Sequence, residues 1–267
     1  MSVLSAQSHL RPRSTSVTLP AGEMGGGIGY RENGNDNHRV SSGPVQRGPS
    51  GTGQSGVMDT ETPHPGLWLV RHGQTNWNTL GWVQGQTDGS RLTRNGRRQI
   101  RAAAALLENQ GIECVYSSDL RRALETAEIV AGRLGCEIRV DRLLRERSFG
   151  SAEGSLFTSL PFESTGIRKG KVVDARASFA GGESLLDLHH RCARFLSGLS
   201  DRPSGGDVAV IAHGGSIRML RACLEGVDPA GMAWETVENA SIYRVPLPRP
   251  TAPHRVLTSP SPTPALG

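Results

Sequence analysis

Lysine is nearly missing from this chain of 267 residues. Only Lys169 and Lys171 occur, so arginine carries almost all of the positive charge. Aromatic residues make up 4% of the chain and hydrophobic residues 36%. That is lean for a chain packed from end to end, so part of it is expected to be disordered. No apolar run approaches the ~18 residues of a membrane span, which argues against a membrane protein. Met1 to Pro20 has no continuous apolar core, which excludes a secretory signal. Cysteine is sparse as well. Cys114, Cys136, Cys192 and Cys223 lie far apart with no CxxC pair. Reduced thiols in a cytoplasmic protein fit this better than a disulfide frame or a zinc site.

Glycine and proline are plentiful, with 34 and 16 residues, and the chain has a formal net charge of +5 and a sequence pI near 9.4. Such basicity raises nucleic acid or an anionic membrane as a partner. Its distribution changes that reading. Residues 1–57 carry +2, residues 247–267 carry +2, and the middle, 58–246, carries only +1. The first segment holds eleven of the glycines and shows no periodic apolar pattern. It cannot bury enough apolar surface to offset its chain entropy and is expected to be disordered. Met58 is an alternative start of translation. The last segment holds six prolines and reads as a tail. The basic charge therefore sits mostly outside the expected domain, 58–246, and a nucleic-acid partner is not expected.

Within that domain strand and helix signals alternate. Leu67 to Val70 is a short apolar run, as in a buried parallel strand. Thr93 is placed to N-cap a helix from Arg94 to about Asn109, with Gly111 after its end. Ile112 to Tyr116 reads as a strand, Leu120 to Leu134 as a helix before Gly135, and Cys136 to Val140 as an edge strand. Ser155 to Ala180 is polar and irregular, and reads as a lid-like insertion. Ser184 to about Leu199 has Leu185, Leu188, Cys192, Phe195 and Leu199 at helical spacing. Asp207 to Ala212, Ser216 to Leu224 and Ser241 to Val245 complete the series as strand, helix and strand. This alternation predicts an α/β fold, a three-layer α/β/α sandwich on a mostly parallel sheet.

In open α/β sheets, ligands bind beyond the carboxyl ends of the strands. Three predicted strands here run directly into polar clusters. These are Arg71-His72-Gly73-Gln74-Thr75-Asn76-Trp77-Asn78, Ser117-Ser118-Asp119-Leu120-Arg121-Arg122-Ala123, and His213-Gly214-Gly215-Ser216. The first is an RHGxTxWN pattern. Leu144-Arg145-Glu146, followed by Phe149-Gly150 and Glu153-Gly154, forms a further motif, and Ala212 to Arg218 forms the last. In these four motifs the chain resembles the histidine phosphatase superfamily, the phosphoglycerate-mutase-like fold. The resemblance spans about 66–246, and four motifs in order are far more specific than one.

The residue types also suit phosphoryl transfer on physical grounds. A neutral imidazole is a good nucleophile near neutral pH, so His72 is the expected attacking group. The transferred group spreads negative charge over three oxygens. Arg71 and Arg122 offer planar, permanent charges that match them. His213 adds a donor, and the backbone at Gly214 opens a helix that favours an anion. Asn78 and Gln84 are neutral donors for the same phosphate. The resemblance places Glu146 as the carboxyl that protonates the leaving alkoxide and then activates water. It also aligns Arg122, not Arg121, with the pocket, which leaves Arg121 as a solvated charge. No metal or other cofactor is expected: the family needs none, and no carboxylate cluster suggests Mg²⁺. His189 and His190 are expected to serve surface or packing roles, and Glu183-Ser184 to cap a helix. Trp77 and Trp82 are expected to pack rather than stack on substrate. Arg147 and Ala152 replace residues that are usually apolar and Trp in the family, and are expected to reshape the pocket rim.

The resemblance implies a metal-independent phosphomonoester hydrolase that works through a phosphohistidine on small phosphorylated metabolites, as a monomer or homodimer. A 2,3-bisphosphoglycerate-dependent mutase is the alternative. It is disfavoured because only 34 residues separate Glu146 from Gly181, and because Gln84-Gly85 resembles the phosphatase branch. A non-catalytic phosphate-binding module is the second alternative, disfavoured because every catalytic residue type is present.

Overall fold

The computed structural model describes residues 15–17, 65–200 and 206–247. These residues belong to one unit, residues 1–18 with 64–267. A second unit, 19–63, lies outside the described residues, as does nearly all of the expected disorder in 1–57 and 247–267. Two observations bear on the edges of those segments. Residues 15–17 form a three-residue strand. Leu247 is buried in the core and donates its backbone N–H to Pro65, so the folded chain runs to that leucine.

In chain order the strands are β1 (Thr15–Val17), β2 (Gly66–Arg71), β3 (Ile112–Ser117), β4 (Glu137–Val140), β5 (Ile167–Arg168), β6 (Lys171–Val172), β7 (Asp207–Ala212) and β8 (Ile242–Pro246). The helices are α1 (Asn76–Leu80), α2 (Arg94–Leu107), α3 (Arg121–Leu134), α4 (Phe162–Thr165), α5 (Leu185–Ser200) and α6 (Gly214–Glu225). Six strands make one sheet in the order β1-β8-β2-β7-β3-β4. The four from β2 to β4 run parallel, and β8 and β1 add antiparallel partners at one side.

Side chains alternate across a strand, so β2 and β7 feed two cores. Leu67, Leu69, Val208 and Val210 pack with Leu188, Cys192, Phe195, Ile217 and Met219, beneath α5 and α6. Trp68, Val70, Ala209 and Ile211 pack with Ile100, Ala104, Ala127 and Val130, beneath α2 and α3. Both faces of the sheet are covered, which gives the α/β/α sandwich expected from the alternation.

Local signals set the helix ends. The Thr93 side chain accepts from the Gly96 N–H at 2.9 Å and starts α2. Gly135 takes the left-handed conformation that stops α3, its N–H donating to Ala131. Differences from the sequence reading are local. α1 was not expected, because five residues carry too few apolar positions to show a period. It is held by a reciprocal cap between Thr75 and Asn78. The insertion at 155–180 is not irregular throughout. It contains α4 and the β5–β6 hairpin, and Val172, Ala175 and Leu185 form a small core beneath it.

Candidate active site

The sheet register brings the two motif histidines together. Arg71 pairs with Ala212 across β2 and β7, so His72 and His213 leave adjacent strands at the same level. Their rings sit edge to face with centroids 5.2 Å apart. Arg122 stands in the first turn of α3, which follows the neighbouring strand β3. A cavity of about 230 Å³ opens there. Its lining includes Arg71, His72, Asn78, Gln84, Arg122, Glu146 and Gly214. Seven of the eight residues expected from the sequence therefore line one cavity. The eighth, His213, is fully buried behind them against His72.

His72 has one defined tautomer. Its Nδ1 lies 2.8 Å from the Gly73 carbonyl oxygen, which can only accept. Nδ1 therefore carries the proton of the neutral ring, and Nε2 keeps its lone pair. Burial holds the His72 pKa well below the ordinary histidine value, and the charges of Arg122 and Arg71 push it further the same way. The ring is neutral near pH 7. His213 is lowered in the same direction, first by burial and then by Arg122, His72 and Arg71. Among the described residues, neither of its ring nitrogens has a hydrogen-bond partner. Buried polar atoms are rarely left unpaired, so these nitrogens, just behind the cavity wall, stand out.

The arginines are positioned by backbone carbonyls rather than by carboxylates. Arg122 donates to Gly85 O at 2.7 Å and Thr87 O at 3.2 Å. Arg71 donates to Val237 O. Each keeps a buried Nε without a hydrogen-bond partner among the described residues. Burial lowers the Arg122 pKa to about 10, so it remains charged at neutral pH. Carbonyl anchoring fixes the guanidinium planes while leaving their full charge for an incoming anion.

The Glu146 carboxylate accepts from the backbone N–H of Gly215 at 3.0 Å and of Arg147 at 2.7 Å. It thus occupies the start of α6, where the sequence reading placed a substrate anion. The absence of a side chain at Gly215 makes room for this contact: a Cβ there would displace the Glu146 carboxylate from its present position. Asn78 has two tasks, because its Oδ1 caps α1 through Thr75 while the residue lines the cavity. Gln84 accepts from Ser90 Oγ at 2.8 Å.

Several lining residues were not expected. Arg147 does not merely reshape a rim. It is buried and donates to the carbonyls of Ser164, Thr165, Ala177 and Glu183, which ties the insertion to the site. Trp82 pairs with Trp77 at 5.4 Å, as expected for packing, but is also 39% exposed and lines the cavity. Phe157, Ile167 and Trp234 bring further apolar wall from outside the motifs. Arg218, inside the last motif, also lines the cavity; its place three to four residues after the helix start was the signal available. Arg121 is exposed and lies 3.6 Å from Glu125, as a solvated charge does. Ser184 caps α5 through Asp187, and Glu183 pairs with Arg191 at 2.7 Å. Among the described residues, no three His, Cys, Asp or Glu side chains converge to hold a metal ion. No described helix is long and apolar enough to cross a membrane.

Comparison with known proteins agrees with this geometry. The profile of the histidine phosphatase superfamily (branch 1) matches residues 67–251. The phosphoglycerate mutase-like protein 4 of Arabidopsis thaliana is 38% identical over 186 residues, covering 65% of this chain and 76% of that protein. A probable phosphoglycerate mutase of Serratia proteamaculans is 36% identical, covering 67% and 83%. Among solved structures, a mycobacterial glucosyl-3-phosphoglycerate phosphatase superposes with a TM-score of 0.60 at 33% identity, covering 67% of this chain and 92% of that one. A phosphoserine phosphatase from Entamoeba histolytica superposes with a TM-score of 0.57 at 29% identity, covering 67% and 88%. The chain belongs to the histidine phosphatase superfamily, branch 1, and is an enzyme of that superfamily.

Proposed function

We propose that the protein hydrolyses small phosphomonoesters without a metal, through a phosphohistidine on His72. The observation that carries this reading is the His72 tautomer. Its Nδ1 proton is committed to the Gly73 carbonyl, which leaves the Nε2 lone pair of a neutral ring in a cavity also lined by two carbonyl-anchored arginines. Nε2 attacks phosphorus, the ester P–O bond breaks, and the leaving alkoxide takes a proton from the Glu146 carboxyl. Arg71, Arg122 and the unpaired His213 ring hold the three equatorial oxygens. Water then attacks the phosphohistidine and gives its proton to Glu146. The P–N bond breaks, and inorganic phosphate leaves with His72 neutral again. Asn78, Gln84 and Gly214 complete the phosphate's surroundings.

Hydrolysis rather than mutase chemistry is supported by the short insertion and by the phosphatase neighbours. A mutase must retain a bisphosphorylated intermediate and exclude water, and 34 residues between Glu146 and Gly181 provide little cover. Purified protein is expected to release phosphate from p-nitrophenyl phosphate in the presence of EDTA. No release under those conditions contradicts the reading. Rapid isomerisation of 3-phosphoglycerate with bisphosphoglycerate, outpacing hydrolysis, would place the chain with the mutases instead.

A further inference from the structure

A general acid must meet the leaving oxygen, yet the segment that carries Glu146 has no regular structure. Residues 145–149 belong to no helix or strand. The Glu146 carboxylate accepts from the backbone N–H groups of Arg147 and Gly215. The backbone behind that carboxylate is held by side chains. One of them, Arg191 on α5, does not line the cavity and touches no reacting atom.

Arg191 uses every donor of its guanidinium. Nη1 donates to Leu143 O at 2.7 Å and to Arg145 O at 2.8 Å. Nη2 donates to Glu146 O at 3.1 Å and to Glu183 Oε2 at 2.7 Å. Nε donates to Glu183 Oε1 at 2.9 Å. A guanidinium has five N–H groups in a rigid fork, and these bonds engage all five. Three of the bonds end on carbonyls of the segment that leads into Glu146.

Glu183 completes the grip. Its two carboxylate oxygens fix the Arg191 fork, and Oε2 also accepts from the Ser148 N–H at 2.9 Å. Gln86 gives Glu146 O a second donor at 3.1 Å. The backbone is thus held at Glu146 itself and on either side of it. An ion pair that served stability alone would need the Glu183 carboxylate and nothing more. Arg191 turns its remaining N–H groups on the backbone of 143–146 instead. A catalytic group misplaced by about 1 Å can lose about 10²-fold in rate, so such a grip has kinetic weight.

Resting on the hydrolase reading above, we infer that Arg191 is a positioning residue for proton transfer to the leaving group. It holds the Glu146 backbone so that the carboxyl meets the departing oxygen, and Glu183 orients its fork. In that step His72 Nε2 forms the P–N bond, the ester P–O bond breaks, and the Glu146 proton goes to the leaving oxygen. Arg191 transfers no proton itself. Lysine is no substitute, because an ammonium offers three donors from a single point and cannot span these carbonyls and the carboxylate together.

Leaving-group dependence tests this. Phenyl phosphate and p-nitrophenyl phosphate are similar in shape, but phenolate is much the stronger base and depends far more on the acid's proton. The kcat/KM of each ester reports the steps up to the phosphohistidine. In Arg191→Lys it is expected to fall about tenfold or more for phenyl phosphate and about threefold or less for p-nitrophenyl phosphate. Lost packing or lost phosphate binding would lower both alike, so an equal fall, or no fall on either ester, overturns the inference. Glu183→Gln keeps the side chain's size but weakens its hold on the fork, and is expected to show the same selectivity. Should Arg191→Lys fail to fold, an equal effect of Glu183→Gln on both esters overturns the inference. Glu146→Gln separates this inference from the reading beneath it. A selective loss there without one in Arg191→Lys removes the inference and leaves the hydrolase reading standing. No selective loss in Glu146→Gln removes Glu146 as the acid, and the inference with it.

Discussion

At the residue scale the chemistry depends on what burial does to two imidazoles. His72 and His213 are both enclosed, and their pKa values are held well below the ordinary value by desolvation and by the neighbouring arginines. The neutral form is the nucleophilic one, so turnover is expected to show no loss from His72 protonation as the pH falls through 6.5. Stability runs the other way. The unfolded chain takes up protons on these residues below about pH 6.5, while the folded chain resists them. Each therefore contributes stability that is lost as the pH falls from that value towards its folded pKa, by at most about 1.4 kcal/mol per pH unit. Urea unfolding at pH 7.5 and pH 5.5 is expected to show a smaller acid loss in His213→Asn than in wild type. Equal losses would contradict the burial argument. Of the two ring nitrogens of neutral His213, one carries the proton and can donate, and the described residues supply it no acceptor.

At the scale of elements, the position of His72 depends on how closely α2 approaches the loop that follows β2. Gly73 and Gly96 make this approach possible. A Cβ at Gly96 would collide with the Gln74 carbonyl, and one at Gly73 would press on the Gly96 backbone. Alanine in place of glycine usually stabilises a helix by up to about 1 kcal/mol. Here the neighbour is backbone and cannot rotate away, so the overpacking cost of about 1–3 kcal/mol wins. Gly96→Ala is expected to lower the unfolding free energy and to reduce kcat, because Gln74 lies two residues from His72. A stabilised, fully active variant would show that the loop has room to move. Sequence patterns exposed most elements but not these contacts. β2 and β7 were legible as continuous apolar runs, and α2 and α3 from the Thr93 cap and from Gly111 and Gly135 after their ends. α1 and the β5–β6 hairpin were not, being too short to show a period. Their stability comes from the Thr75–Asn78 cap and from backbone bonds to residues 231–234. Arg147 illustrates the same limit. In sequence it is one arginine among many, and only the fold shows four carbonyls closing around it.

At the scale of the whole molecule, the parallel sheet converts distant motifs into one site. Residues 71–78, 117–127 and 212–218 meet because three adjacent strands end at one edge. That much followed from strand order and the rule for open α/β sheets. The wall opposite the phosphate did not follow. Phe157, Ile167 and Trp234 come from segments with no motif, and their convergence is a property of tertiary packing alone. The global charge was misleading for a related reason, since +4 of the +5 lies outside 58–246. Placement of a few arginines against buried histidines says more about the partner than the sum does.

The central claim is that His72 carries the phosphoryl group between the two half-reactions. Acid lability and intact mass of the protein, quenched during turnover of p-nitrophenyl phosphate, test it most directly. One acid-labile, alkali-stable phosphoryl group is expected, mapping to His72, absent from His72→Ala, and accompanied by a loss of turnover on the order of 10⁴-fold or more. Retained turnover in His72→Ala, or a phosphoryl group mapping to another residue, would contradict the account.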